Sequence, residues 1–163
     1  MFTTARCLFA PAVLASALVA ACSADPQLGP AQSVPFEEVF SRVAPTGIQT
    51  PAYKLIMDEG AWESTWAAIH SNYAPGQVPH VPVIDFDSKI LVFAALGWRG
   101  AQGFFFRIEE VRASRGVLHV TVAERYPFCG TLPAESAPVH VVSIPRVAMR
   151  AEFTLITQSP VCN

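Results

Sequence analysis

The feature that most constrains this chain is a pair of alternating runs on either side of a short turn. Phe104, Phe106 and Ile108 alternate with Phe105, Arg107 and Glu109. After a turn at residues 113–116, Leu118, Val120 and Val122 alternate with His119, Thr121 and Ala123. Successive side chains of a strand point to opposite faces, so this pattern predicts an antiparallel hairpin with one buried and one wet face. Residues 90–96 are apolar without a break, as in a central strand covered on both faces. Residues 139–144 and 152–156 supply two further strands, and residues 36–43 fit either a strand or a short helix.

One segment, residues 58–71, reads as a helix. Asp58 suits the N-cap, and Glu59 and Glu63 suit the positive end of the helix dipole. Trp62, Trp66, Ile69 and Tyr73 recur at helical spacing and mark one face. Such a stripe ordinarily packs on a sheet, although two tryptophans also suit a stacking platform for a ligand. Pro45, Gly47 and Pro51 break the chain into turns before this helix, and Pro75, Gly76, Pro79 and Pro82 make residues 72–82 a loop. The expected fold is mainly β (α+β): an antiparallel β-sandwich or open barrel with one packed helix.

The N-terminus reads differently. Residues 1–21 carry Arg6, no acidic residue, and an apolar run from Leu8 to Val19. That is the charge and apolar layout of a secretory signal, and the run is short of the ~20 residues a spanning helix needs. It ends in Leu18-Val19-Ala20-Ala21-Cys22, which resembles the bacterial lipobox. The resemblance implies lipid on Cys22, cleavage before it, and a lipid membrane as the first partner. Ser23, rather than Asp, at the next position resembles the sorting signal that allows passage to an outer membrane, facing the periplasm or the cell surface. Residues 22–33 are polar with Pro and Gly, and read as a flexible tether whose ends lie about 20 Å apart. The domain then occupies residues 34–163.

Net charge is −2, and loss of Arg6 with the leader makes it one unit more negative. A nucleic-acid partner is not expected, because the arginines from Arg99 to Arg125 are interleaved with Glu109, Glu110 and Glu124. Cys7 leaves with the leader and Cys22 takes lipid, so Cys129 and Cys162 remain as a pair in an oxidising compartment. A disulfide is the expectation. It would close a loop of about 34 residues and contribute roughly 3–4 kcal/mol in the chain-entropy model. The rival reading, Cys129 as a nucleophile, lacks a local base.

Chemistry is sparse. His70, His80, His119 and His140 show no metal-ligand spacing, and neither a nucleophile elbow nor a phosphate loop is present. No metal or cofactor is expected. Asp85 and Asp87 lie two apart and would share a face of a strand, half of an acid/base or metal pair; the plainer reading is that Asp87 caps the turn into residues 90–96. The most suggestive surface is the loop from Gly97 to Gly103, with Trp98 and Arg99, followed by Phe104 and Phe105. Trp and Arg are common interface hot spots. The set Trp98, Arg99, Gly103, Phe104 and Phe105 is therefore the candidate partner surface, while Trp98 as a cap on the sandwich core is the competing reading.

These residues also resemble a family. Trp62 and Trp66 precede Pro82-Val83-Ile84-Asp85-Phe86, then a strand, then Gly97-Trp98-Arg99, and later Val142-Ser143-Ile144-Pro145-Arg146. Residues 51–155 resemble the PrcB C-terminal domain of bacterial lipoproteins. Where that family has G-x-R-x-T-G-G-Y, this chain keeps Gly97, Arg99 and Gly103 but has Ala101-Gln102 for Thr-Gly and Phe104 for the tyrosine. The family's Thr-Ser-Pro stretch reads Glu135-Ser136-Ala137-Pro138. The resemblance implies a non-enzymatic accessory lipoprotein that binds or stabilises an envelope or surface protease complex. Two other readings remain: a small-ligand module using Trp62, Trp66 or Trp98, and an enzyme using Asp85, Asp87 or a histidine.

Overall fold

The computed structural model describes residues 31–126, 129, 133–147 and 150–159. They form β1 (Gln32–Ser33), β2 (Glu37–Arg42), β3 (Ala52–Ile56), α1 (Glu59–Ile69), β4 (Lys89–Ala95), β5 (Phe105–Ser114), β6 (Val117–Arg125), β7 (Val139–Pro145) and β8 (Arg150–Gln158). The strands build two four-stranded sheets that face each other, one in the order β1-β5-β6-β8 and the other β2-β7-β4-β3. Among the described residues the fold is a β-sandwich with one helix and no closed barrel.

The second sheet lies between two apolar layers. Ile90, Val92 and Ala94 of β4 and Val142 and Ile144 of β7 point into the sandwich, against Phe106, Ile108, Leu118, Val120 and Val122. Leu91, Phe93 and Ala95, with Val139 and Val141, point the other way and meet Trp62, Trp66 and Ile69 of α1. Burial on both faces is why β4 reads as an unbroken apolar run from Ile90, and β7 is buried from Val139 to Ile144 although it carries His140 and Ser143.

Helix α1 starts where Asp58 accepts a hydrogen bond from the Ala61 amide at 2.8 Å. At its other end the Ile69 carbonyl accepts from the Gly47 amide at 2.8 Å. Glycine is required there, since a Cβ would lie 2.2 Å from the Ala68 carbonyl oxygen. The Trp62 and Trp66 indoles donate to the carbonyls of Pro82 and Pro79, each at 2.9 Å. The proline-rich loop thus wraps the helix and satisfies both buried indoles.

Three features differ from the sequence expectation. Strand pairing begins two residues before Val34, because Gln32 and Ser33 of the expected tether pair with Ala113 and Arg112. A strand that was not expected, β3, lies between the Pro51 turn and the helix and pairs with β4 along its whole length. The last strand, β8, runs parallel to β6. Strand β7 in the opposite sheet supplies the return path that a parallel pair needs.

Candidate functional site

The predicted partner loop is firmly held. Gly97 has φ 72°, and a Cβ there would meet the Thr50 carbonyl carbon at 2.7 Å. The Trp98 amide donates to Gln49, and Arg99 exchanges backbone hydrogen bonds with Ser136 at 2.8 and 2.9 Å. Gln102 Nε2 donates to the Glu135 carbonyl at 2.6 Å, and Ser136 Oγ to the Ala101 carbonyl at 2.7 Å. On this platform Trp98 is 51% exposed and Arg99 half-buried. Gly103 has φ 92°, which lets the chain turn into β5. Phe104 then points inward, is buried, and packs on Tyr126 with ring centroids 5.3 Å apart. This corrects its place in the partner surface: the strand alternation that exposes Phe105, at 62%, necessarily buries its neighbour.

The other candidates are accounted for by packing or turns. Trp62 and Trp66 are buried, which removes them as a ligand platform. Asp85 accepts hydrogen bonds from Ser88 Oγ and the Asp87 amide, so Asp85, rather than Asp87, shapes the turn into β4. Those bonds, Ser88 first, hold its carboxyl below the usual range. His70 is buried beside Trp66 and Phe40, while His119 lies on the wet face 3.6 Å from Glu152. Among the described residues no three His, Cys, Asp or Glu side chains are grouped to hold a metal. Cys129 is disulfide-bonded. Cys22 and Cys162 lie outside the described residues.

A site that sequence reasoning missed lies where the two sheets part, beside β2 and β5. A cleft of ≈ 490 Å³ is lined by Phe36, Glu38, Arg107, Ile108, Glu109, Arg125 and His140. Strand β5 carries a bulge at the edge of the cleft, at Glu109: Ile108 pairs with Val122 and Glu110 with Thr121, leaving Glu109 as the extra residue. His140, on β7, reaches across the sandwich from the opposite sheet. Its Nδ1 accepts the Ile108 amide at 2.9 Å, and its Nε2 lies 2.9 Å from Glu38. An amide can only donate, so Nδ1 is unprotonated and Nε2 carries the proton given to Glu38. Burial outweighs the neighbouring Glu38 carboxylate and holds the imidazole below its ordinary value. Both ring nitrogens are thereby committed, leaving no lone pair to take a substrate's proton.

Beside this histidine the bulge aims Glu109 between two arginines. Arg107 Nε and Nη2 donate to its Oε1 at 3.3 Å, and Arg125 Nη2 donates to Oε2 at 2.6 Å. The Arg125 hydrogen bond, with Arg107 adding to it, holds Glu109 below the usual carboxylate range despite partial burial. The same two arginines wall a second, smaller hollow of ≈ 190 Å³ on the outer face, with Phe105 and Ala123. Register explains it: Phe105 stands opposite Arg125, and Arg107 opposite Ala123, whose small side chain leaves a depression between three long ones. The alternation alone placed Phe105, Arg107 and Glu109 on one face. Bringing Arg125 and His140 to them required the strand register and the sheet stacking.

Comparison with family models, with curated proteins and with solved structures yields no match. The reading of the site therefore rests on its own chemistry.

Proposed function

We propose that this chain is a lipid-anchored accessory protein of the cell envelope that binds another envelope protein, of the protease-complex kind that the PrcB-like resemblance implies. The observation that carries the reading is the contrast among its aromatics. Trp62, Trp66 and Phe104 are buried, whereas Phe105 and Trp98 stand 62% and 51% exposed at the start of β5 and in the pinned loop before it. Leaving a large aromatic in water forgoes roughly 1.5–3 kcal/mol of burial. Rigid exposed aromatics beside arginines are the residue types that anchor interfaces. The lipobox-like leader supports the anchor at Cys22. Among the described residues no helix is long and apolar enough to cross a membrane.

The test uses the full chain expressed in its own envelope. Detergent-solubilised wild type is expected to migrate as a discrete complex on a native gel. The double variant Trp98→Ser/Phe105→Ser is expected to migrate alone, with an unchanged melting temperature. A wild type that migrates alone, or a variant that keeps the complex, overturns the reading. In the same strain Cys22→Ala is expected to move the chain from the membrane fraction to the soluble one.

A further inference from the structure

We propose that Arg107 and Arg125 form a receptor for a carboxylate, supplied by an acidic side chain of the partner protein, and that Glu109 is the internal stand-in that keeps it formed. The proposal deepens the partner-binding reading and rests on it.

The arrangement is a carboxylate site already holding a carboxylate. Glu109 uses both oxygens, one for each guanidinium. Exposure is unequal: the Glu109 side chain is 15% exposed, against 62% for Arg107 and 43% for Arg125. The negative group lies beneath and the positive ones face outward, with two cations to one anion. Among the described residues Glu109 is the ion-pair partner of each arginine, and neither Nη1 donates a hydrogen bond. A guanidinium offers five donors in a planar fork matched to a carboxylate, so each keeps donors for a second one.

Two details favour a singly charged group on a polypeptide. Arg107, Arg125 and Glu109 together leave one positive unit, and Glu38 in the adjoining cleft offsets it across the wider site, which disfavours a dianion. Phe105 and the Ala123 floor give the smaller hollow an apolar wall, which suits the stem of an acidic side chain and an apolar neighbour beside it. The two hollows share Arg107 and Arg125, so a segment lying across them would place its carboxylate at the guanidiniums.

The test follows the arginine Nε–H signals of the full ¹⁵N-labelled chain in detergent micelles. The probes are acetyl-Leu-Glu-Leu-amide, its neutral isostere acetyl-Leu-Gln-Leu-amide, and inorganic phosphate. The Glu peptide is expected to shift both Arg107 and Arg125, with the Gln peptide about tenfold weaker, the factor that one charge-assisted hydrogen bond supplies. Arg107→Ala and Arg125→Ala are each expected to abolish the preference for Glu over Gln. Glu109→Gln, which removes the internal competitor but keeps the side chain's shape, is expected to bind the Glu peptide several-fold more tightly. A purely structural ion pair would not give that gain. Equal binding of the two peptides, a stronger response to phosphate, no response at either arginine, or weaker binding by Glu109→Gln overturns the proposal. If the native-gel complex survives in the Arg107→Ala/Arg125→Ala variant, the partner reading stands and this receptor fails.

Discussion

The two sheets meet across one core, yet their outer faces are opposites. The face of β2-β7-β4-β3 is roofed by α1 and its two buried tryptophans. The face of β1-β5-β6-β8 has no helix over it among the described residues, and presents Phe105, Arg107, Arg112, His119 and Glu152. The difference shows that the helix and its two tryptophans cover one sheet only. What the other sheet presents, Phe105 beside the paired arginines with Trp98 in the loop before β5, is therefore the informative surface.

Substitutions should break along the same line. The largest effect is expected from Trp62→Ala, which empties a fully buried site between helix and sheet. Its cost is about 3–5 kcal/mol in a denaturant titration. The matching change on the bare face, Phe105→Ser, should cost no more than ~0.5 kcal/mol while abolishing the native-gel complex. Equal costs at the two positions would contradict the contrast.

His140, which ties the sheets together, should fall between them. Its replacement by alanine strands the buried Ile108 amide, at a cost of about 1–3 kcal/mol. The histidine also sets a pH dependence. Its folded-state value is depressed, so the unfolded chain binds the proton more readily. Its contribution is whole above about pH 6.5, the ordinary imidazole value, and is lost as the pH falls below that. The wild type should therefore lose more stability between pH 7 and 5 than His140→Ala does. The smallest effect is expected from Arg107→Ala. It removes an exposed ion pair and should leave the melting temperature nearly unchanged while weakening the complex.

Much of this fold was legible because its signals are local. The alternation around residues 113–116 gave the β5–β6 hairpin, the apolar run gave β4, and Asp58 with the tryptophan stripe gave α1. Strand β3 was hidden because Ala52–Ile56 lies next to Pro51 and is short, so turn residues masked it. Phe104 belonged to two expectations at once, the inner face of a strand and the partner surface. Strand geometry allowed only the first. The cleft was not legible. His140 and Ile108 are 32 residues apart in different sheets, and the Glu109 bulge shows only once β5 is paired with β6. Local sequence pattern carries strand faces, whereas register and stacking decide which charged residues meet.

The most direct measurement is photo-crosslinking in intact envelopes. A photoreactive amino acid at Phe105, on the bare face, is compared with one at Glu63, an exposed position on α1. The account predicts one discrete adduct of the same partner in quantity at position 105 and little or none at position 63. Equal adducts at both positions, or an adduct only at position 63, would contradict it.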